Sequence, residues 1–398
     1  MALSKIDVAN MLTGATPVAN GGTALTSGFV NGRTNDQGAP IIINGDMAVA
    51  QRSSSTVAQA DDSNEGFATV DRFMLKFGNN AGGTITTSRD TTAPTGFGQS
   101  VKLNVTSADT SVAATHIVEF TQPIEAQVIR NSGWDYTSSS SYITLSFQIR
   151  SSKTGTYCVY FQTLDGTSYM YTAEYTISSA DTWEQKVITV PGNSNLQFDN
   201  NANVGFRVGW ILAVGSSRYG TAGSWTTSSA YGTSNNVNFL DSTDNIAYIT
   251  GVQLEVGQYT SSTLPPFQHE SFGDNLQRCR RYCQLHMNTD QDGGPFLGQC
   301  FAYTSSNWQS SLQLVPPMRA VPTVSSVSGS NKYVIFSNGG TINYDQIDYN
   351  SATLSGGVVT TIDLALDSAS GGTAGHAGKT RGNSTGAGTM LLMESEIE

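Results

Sequence analysis

Three aromatic residues, Tyr219, Trp225 and Tyr231, stand six apart in a stretch, residues 215–238, otherwise built mostly from Ser, Gly, Thr and Asn. No strand face explains rings at that spacing. Rings set among short hydroxyl and amide side chains are the chemistry of a polar-ligand platform. A sugar lays its C–H face on a ring while the short side chains take its hydroxyls. The same rings could instead staple a long loop onto the body of the protein or onto a neighbouring subunit. Both readings stand at the level of sequence.

Other residue sets come close to a known chemistry and stop short. Asn288, Asp290, Asp292 and Gly293 have the spacing that opens a calcium loop, but Gln299 holds the twelfth position where a bidentate Glu is wanted. An acidic turn is expected there. Cys279, Cys283 and His286 lie at helical-turn spacing, yet a structural zinc site needs four ligands and usually a second cluster. The four cysteines, 158, 279, 283 and 300, are therefore read as small apolar core residues. Polysaccharide cleavage needs two carboxylates facing each other across a cleft. Asp345 with Asp348, Asp363 with Asp367, and Glu394 with Glu396 are near in sequence only, and each is expected on a solvated face. His116, His269, His286 and His376 have no nucleophile motif beside them. Lys379-Thr380 lacks the spaced glycine of a phosphate loop, so residues 376–388 read as a flexible loop. No catalytic residue, metal or cofactor is expected.

The elements that must position these residues are nearly all strands. At 398 residues the chain has room for two β domains and an extra arm. Charged residues are 13% of it, about half the usual share, and the net charge is −11. No segment supplies the basic stripe that nucleic-acid phosphates require. No apolar run reaches membrane-spanning length, so no membrane insertion is expected.

Residues 1–40 lack a globular pattern. Ser4 and Asp7 could cap a short helix carrying Leu3, Ile6 and Met11, which would need a partner surface to be stable. An extended Gly/Asn/Thr linker follows. From residue 41 strand signals are dense, beginning with IIINGDMAVAQRS. Residues 100–106, 114–122, 142–150, 156–163, 168–177, 183–190 and 204–214 each alternate apolar and polar residues, with a helical crossover at 124–131. This pattern predicts an antiparallel β-sandwich over residues 41–270. Val252, Leu254 and Val256 alternate in a closing strand, and Leu264-Pro265-Pro266 ends its pairing. Leu276, Cys279 and Cys283 then fall on one face of a linking helix at 271–286. Residues 287–398 read as a second, smaller β domain.

Several of these stretches resemble a family of phage tail-fibre and virion appendage proteins. The match runs through Ile43, Asn44, Gly45, Asp46, Gln51 and Arg52, then Asp71 and Arg72, with Phe73 where the family has Trp. It continues through Gln253, Leu254, Glu255, Gly257, Phe267, His269, Gly273, Leu276, Arg281 and Tyr282, and through Pro317, Met318, Arg319, Ala320, Pro322 and Thr323. Thr16 to Thr23 is similar to a tail-fibre linker. The adjacent Asp71 and Arg72 are expected to pair near the sandwich rim.

The resemblance implies a jelly-roll sandwich of the carbohydrate-binding-module type. It further implies a virion protein assembled in the host cytoplasm, a homotrimer, and partners among other tail or head proteins and host-surface glycan or protein. Residues 1–40, with Leu3, Ile6 and Met11, would dock to the particle. The expected function is host-surface recognition by a non-enzymatic appendage; the alternatives are a purely structural head fibre or tail adaptor, and a polysaccharide depolymerase.

Overall fold

The computed structural model describes residues 40–61, 64–287, 296–338, 340–367, 369, 371–383 and 390–397. Leu3, Ile6 and Met11, and the turn with Asn288, Asp290, Asp292 and Gly293, lie outside the described residues.

The first unit is two six-stranded antiparallel sheets. One holds, in spatial order, Val57–Gln59, Thr84–Asp90, Ser100–Ser107, Ile246–Val256, Tyr142–Ser151 and Glu184–Pro191. The other holds Trp225–Thr226, Met170–Ile177, Gly155–Thr163, Val204–Val214, Ile117–Glu125 and Met74–Gly78. Successive strands repeatedly switch sheets, which is the winding of a jelly roll. Alternation explains the packing: Val118, Phe120, Val159, Phe161, Val208 and Trp210 point inward and meet Leu103, Leu145 and Phe147 of the facing sheet in one core. Phe73 stacks on Phe120 at 5.3 Å, so the Trp position of the resemblance is filled by a smaller ring in the same core. The crossover is a short helix, α1, Ala126–Arg130.

The second unit packs a seven-stranded sheet against a three-stranded one over a core containing Trp308, Met318, Tyr333, Tyr344, Ile362, Leu391 and Met393. Between the units runs α2, Phe272–Arg280, whose first turn is capped by the Ser271 hydroxyl accepting from the Asp274 N–H. It is shorter than expected. Cys279 is buried on it beside Asn275, but Cys283 begins the strand Cys283–Met287, so Leu276, Cys279 and Cys283 do not share one helix face. The cause is the second sheet: Cys283 and Gln284 are drawn into pairing with Glu394 and Met393.

Two further expectations are corrected. Residues 41–53 are not a strand. Asn44 adopts a left-handed backbone (φ 61°), and its side chain replaces ladder bonds by donating to Val49 O and Asp71 O and accepting from Val49 N, all at 2.9 Å. Residues 377–382, expected in a flexible loop, form the strand Ala377–Gly382 between Tyr333–Ser337 and Phe296–Thr304. Its inward slots are Gly378 and Thr380 because the Trp308 and Tyr344 side chains need the room. A Cβ on Gly378 would meet Ile335 at 2.7 Å and the Trp308 ring at 3.0 Å.

The units are joined by a buried ionic seam. Arg52 reaches Glu394 (2.5 Å), Glu396 (2.9 Å) and Asp71 (3.7 Å). Arg72 pairs with Glu396, donates to Pro123 O at 2.8 Å and lies over the Tyr282 ring at 3.5 Å. Arg281 holds Glu125 in a two-point contact at 2.9 and 3.1 Å, while Arg319 donates to Ala202 O in the first unit and to Ser395 O in the second. Asp71 and Arg72 therefore do not pair with each other. Both lie in a turn in which Arg72 takes a left-handed backbone (φ 71°), and each side chain finds its own partner. Glu394 and Glu396, expected on a solvated face, are two of the seam's anions, with Asp71 and Glu125.

Candidate functional site

The sheet carrying Val204–Val214 has a second buried face. Residues between the core-facing ones, namely Ile117, Cys158, Tyr160, Met170, Ile211 and Val214, form a separate cluster on its outer side with Tyr231 packed against it. Gly209 lies directly opposite Tyr160 in the ladder. A Cβ there would sit 2.3 Å from the Tyr160 ring, so glycine is what lets the ring lie flat on the sheet.

The 215–238 segment covers one half of this outer face. The Asn236 side chain accepts from Cys158 N at 2.8 Å, Asn235 donates to Glu174 at 3.1 Å, and Thr172 donates to Ala230 O. The other half stays open as a groove of about 400 Å³, bordered by Glu65, Lys76, Ile117, Glu119, Arg207, Arg218 and Tyr231. Tyr231, half-buried, is held edge-on against Tyr160 with ring centroids 5.1 Å apart.

The three sequence-selected aromatics are thus divided. Tyr231 walls the groove. Tyr219, 39% exposed, bridges to Gly232 beside it. Trp225 belongs to the opposite edge of the sheet: its ring packs on Tyr171 at 5.4 Å and its indole N–H donates to Pro191 O at 2.7 Å. It staples the loop to the sandwich. The single platform anticipated from the spacing is not formed, because each ring follows a different part of the loop onto the sheet.

The groove's charged residues were not anticipated. Glu119 and Arg207 are both buried, at 3% and 8% exposure. Glu119 Oε2 and Arg207 Nε have no hydrogen-bond partner. Burial pushes the Glu119 carboxyl above its usual range, and the Arg207 guanidinium acts against that shift. Glu65 accepts from Phe77 N at 2.6 Å and stands 3.7 Å from Lys76. One signal in the sequence could have found them. In a chain with few charges, Arg207 is the single charged residue of the otherwise apolar strand Val204–Val214, and Glu119 is a charged residue set among Ile117, Val118 and Phe120. Chemically, the groove offers one ring, with donors and acceptors on both walls.

The other sequence candidates do not converge. All four cysteines are buried thiols without disulfides, Asp363 accepts from Ser311 and Ser351, and no group of three metal-ligating side chains occurs among the described residues.

No family model and no curated protein matches the chain. Three solved structures illustrate the likenesses found. The enzymatically active domain of bacteriophage CBA120 tailspike protein 4 is 15% identical over 55% of this chain and 21% of that one, with TM-score 0.27; the chain thus spans about a fifth of the tailspike. The family 11 carbohydrate-binding module of the Clostridium thermocellum cellulase Lic26A-Cel5E is 11% identical over 52% of this chain and 99% of that one, TM-score 0.27. The C-terminal family 22 module of Clostridium thermocellum Xyn10B is 12% identical over 51% and 95%, TM-score 0.27. At such scores the fold assignment rests on the strand order described above.

Proposed function

We propose that this chain is a non-enzymatic virion appendage that recognises a host-surface glycan through the groove on its sandwich. The observation that carries the glycan reading is the open groove of about 400 Å³ in which the Tyr231 ring stands among Glu65, Lys76, Glu119, Arg207 and Arg218. A sugar can lay its C–H face on the ring while the polar side chains around it pair with its hydroxyls. The virion assignment rests on the motif resemblance, as do the homotrimer and the docking role of Leu3, Ile6 and Met11. A trimer would present three grooves, and linkage strengthens weak single contacts.

The test is adsorption of the purified full chain to host cells and to polysaccharide extracted from them. Arg207→Gln and Tyr231→Ala should each weaken binding by about tenfold or more. Unchanged adsorption by both variants overturns the groove. If the chain does not adsorb while the particle does so through another protein, the chain is a structural head fibre or tail adaptor.

A second reading, glycan hydrolysis, has one observation in its favour: Glu65 and Glu119 share the groove, and the second has a raised proton affinity suited to a general acid. Release of reducing ends by the wild type, abolished by Glu119→Gln, would replace the binding reading with this one.

A further inference from the structure

The outer face of the seven-stranded sheet carries aromatic rings in solvent. Phe296, Phe301, Phe336 and Tyr303 are 52, 42, 41 and 66% exposed. Phe296, Phe301 and Tyr303 come from the strand Phe296–Thr304, and Phe336 from Tyr333–Ser337; between them runs Ala377–Gly382 with Lys379 and Arg381. The ladder sets Lys379 across from both Phe336 and Gln299, and Arg381 across from Phe296. Rings and cations therefore alternate in a checkerboard. Lys379 Nζ stands 4.0 Å from the Phe296 ring centre, and the Arg381 guanidinium stands 4.8 Å from that of Phe336 and 5.8 Å from that of Phe296.

We infer that this face is a second binding site, separate from the groove, and that it takes an anionic polysaccharide such as a uronate-bearing chain. Three features converge on that chemistry. No Asp or Glu occurs on the three strands, so among their own side chains the face carries two cations and no carboxylate, on a chain of net charge −11. The rings hold the two cations in place through their quadrupoles, which lowers the ordering entropy a surface Lys or Arg loses when it grips an anion. Phe301 and Tyr303, beyond the cations, leave apolar surface for a sugar's C–H face, and Gln299 supplies an amide for its hydroxyls. A ligand that is anionic, hydroxylated and flat on one side meets all three. A second copy meets them poorly, because a two-fold contact centred on the patch places Lys379 and Arg381 against their own images.

The test uses the full chain in native gels containing polygalacturonate, with dextran of similar size as the neutral control. Polygalacturonate should retard the wild type, and dextran should not. Lys379→Gln with Arg381→Gln should weaken retardation by about tenfold or more. Lys379→Arg with Arg381→Lys should restore it, which separates lost charge from lost folding. Tyr231→Ala should leave it unchanged, so failure here and failure of the groove are told apart. Equal retardation of wild type and the double Gln variant overturns the site, as does equal retardation by dextran. Stronger retardation by an oligonucleotide of equal charge would make the face a nucleic-acid surface instead. Sedimentation showing a wild-type oligomer that the double Gln variant dissolves would assign the face to a second copy.

Discussion

Glu119 occupies a strand position where its charge is expensive, and the sign of that expense is measurable. Its carboxyl holds its proton to higher pH in the folded chain than in the unfolded one. At low pH both states are protonated. As pH rises the unfolded chain releases the proton first, so stability falls until the folded state releases it too. Glu119→Gln should therefore raise the melting temperature at neutral pH and flatten its decline above about pH 5, read by thermal melts across pH. Gly209 is the complementary case. Gly209→Ala forces Tyr160 off the sheet and should destabilise by about 1–3 kcal/mol in urea unfolding. At this scale sequence reading was uneven. Trp134 and Trp210 are buried at 3% and 0% exposure. Tyr231 was visible as a ring without a strand to explain it. Glu119 and Arg207 were passed over, because which face of a strand is covered depends on a loop distant in sequence.

Strands announce themselves where their inward slots are filled by large apolar residues. Val204–Val214 lies where its periodicity put it, and Tyr142–Ser151 runs one residue further than expected. Ala377–Gly382 was illegible for the converse reason: its inward slots are small because Trp308 and Tyr344 have already filled the volume from neighbouring elements. Likewise the 41–53 turn reads as extended in sequence because nothing local shows that Asn44 bonds the backbone of Val49 and Asp71. The strand Cys283–Met287 adds a pH effect of its own. His286, with Nε2 buried and unpartnered, has its pKa pushed down to about 4 by burial and by Arg280. Between the ordinary pKa near 6.5 and that value only the unfolded state takes up a proton, so stability falls as pH falls through this window. His286→Gln should remove this acid sensitivity, worth on the order of 1–2 kcal/mol at pH 4.5 by denaturant titration. Ser271→Ala, which removes the cap of α2, should lower stability by about 1 kcal/mol in the same assay.

At the scale of the whole molecule, the residues that carry the family resemblance come together where the units meet. Asn44, Asp46, Gln51, Arg52, Asp71, Arg72, Arg281, Tyr282 and Arg319 arrive at α2 and the seam from four separated stretches. They describe a joint, and the groove lies elsewhere, which is why the same motifs mark the architecture and leave the groove unmarked. Glu396→Ala leaves the buried Arg72 and Arg52 without their shared anion and should destabilise by roughly 3–5 kcal/mol, with little relief from added salt. Urea unfolding followed by Trp210 and Trp308 fluorescence in single-Trp variants should give coincident transitions in the wild type and separated ones in this variant.

The seam also bears on how the chain is made. Glu394 and Glu396 follow Arg52 by 342 and 344 residues, among the longest loops the chain could close, and contacts of such separation form late. On a ribosome the jelly roll can wind while Arg52 and Arg72 still face water, and until residue 396 emerges the two arginines keep the future interface wet. The charges thus disfavour premature association at that face, and the strand Leu391–Glu394 both completes the small sheet and brings the anions to the joint.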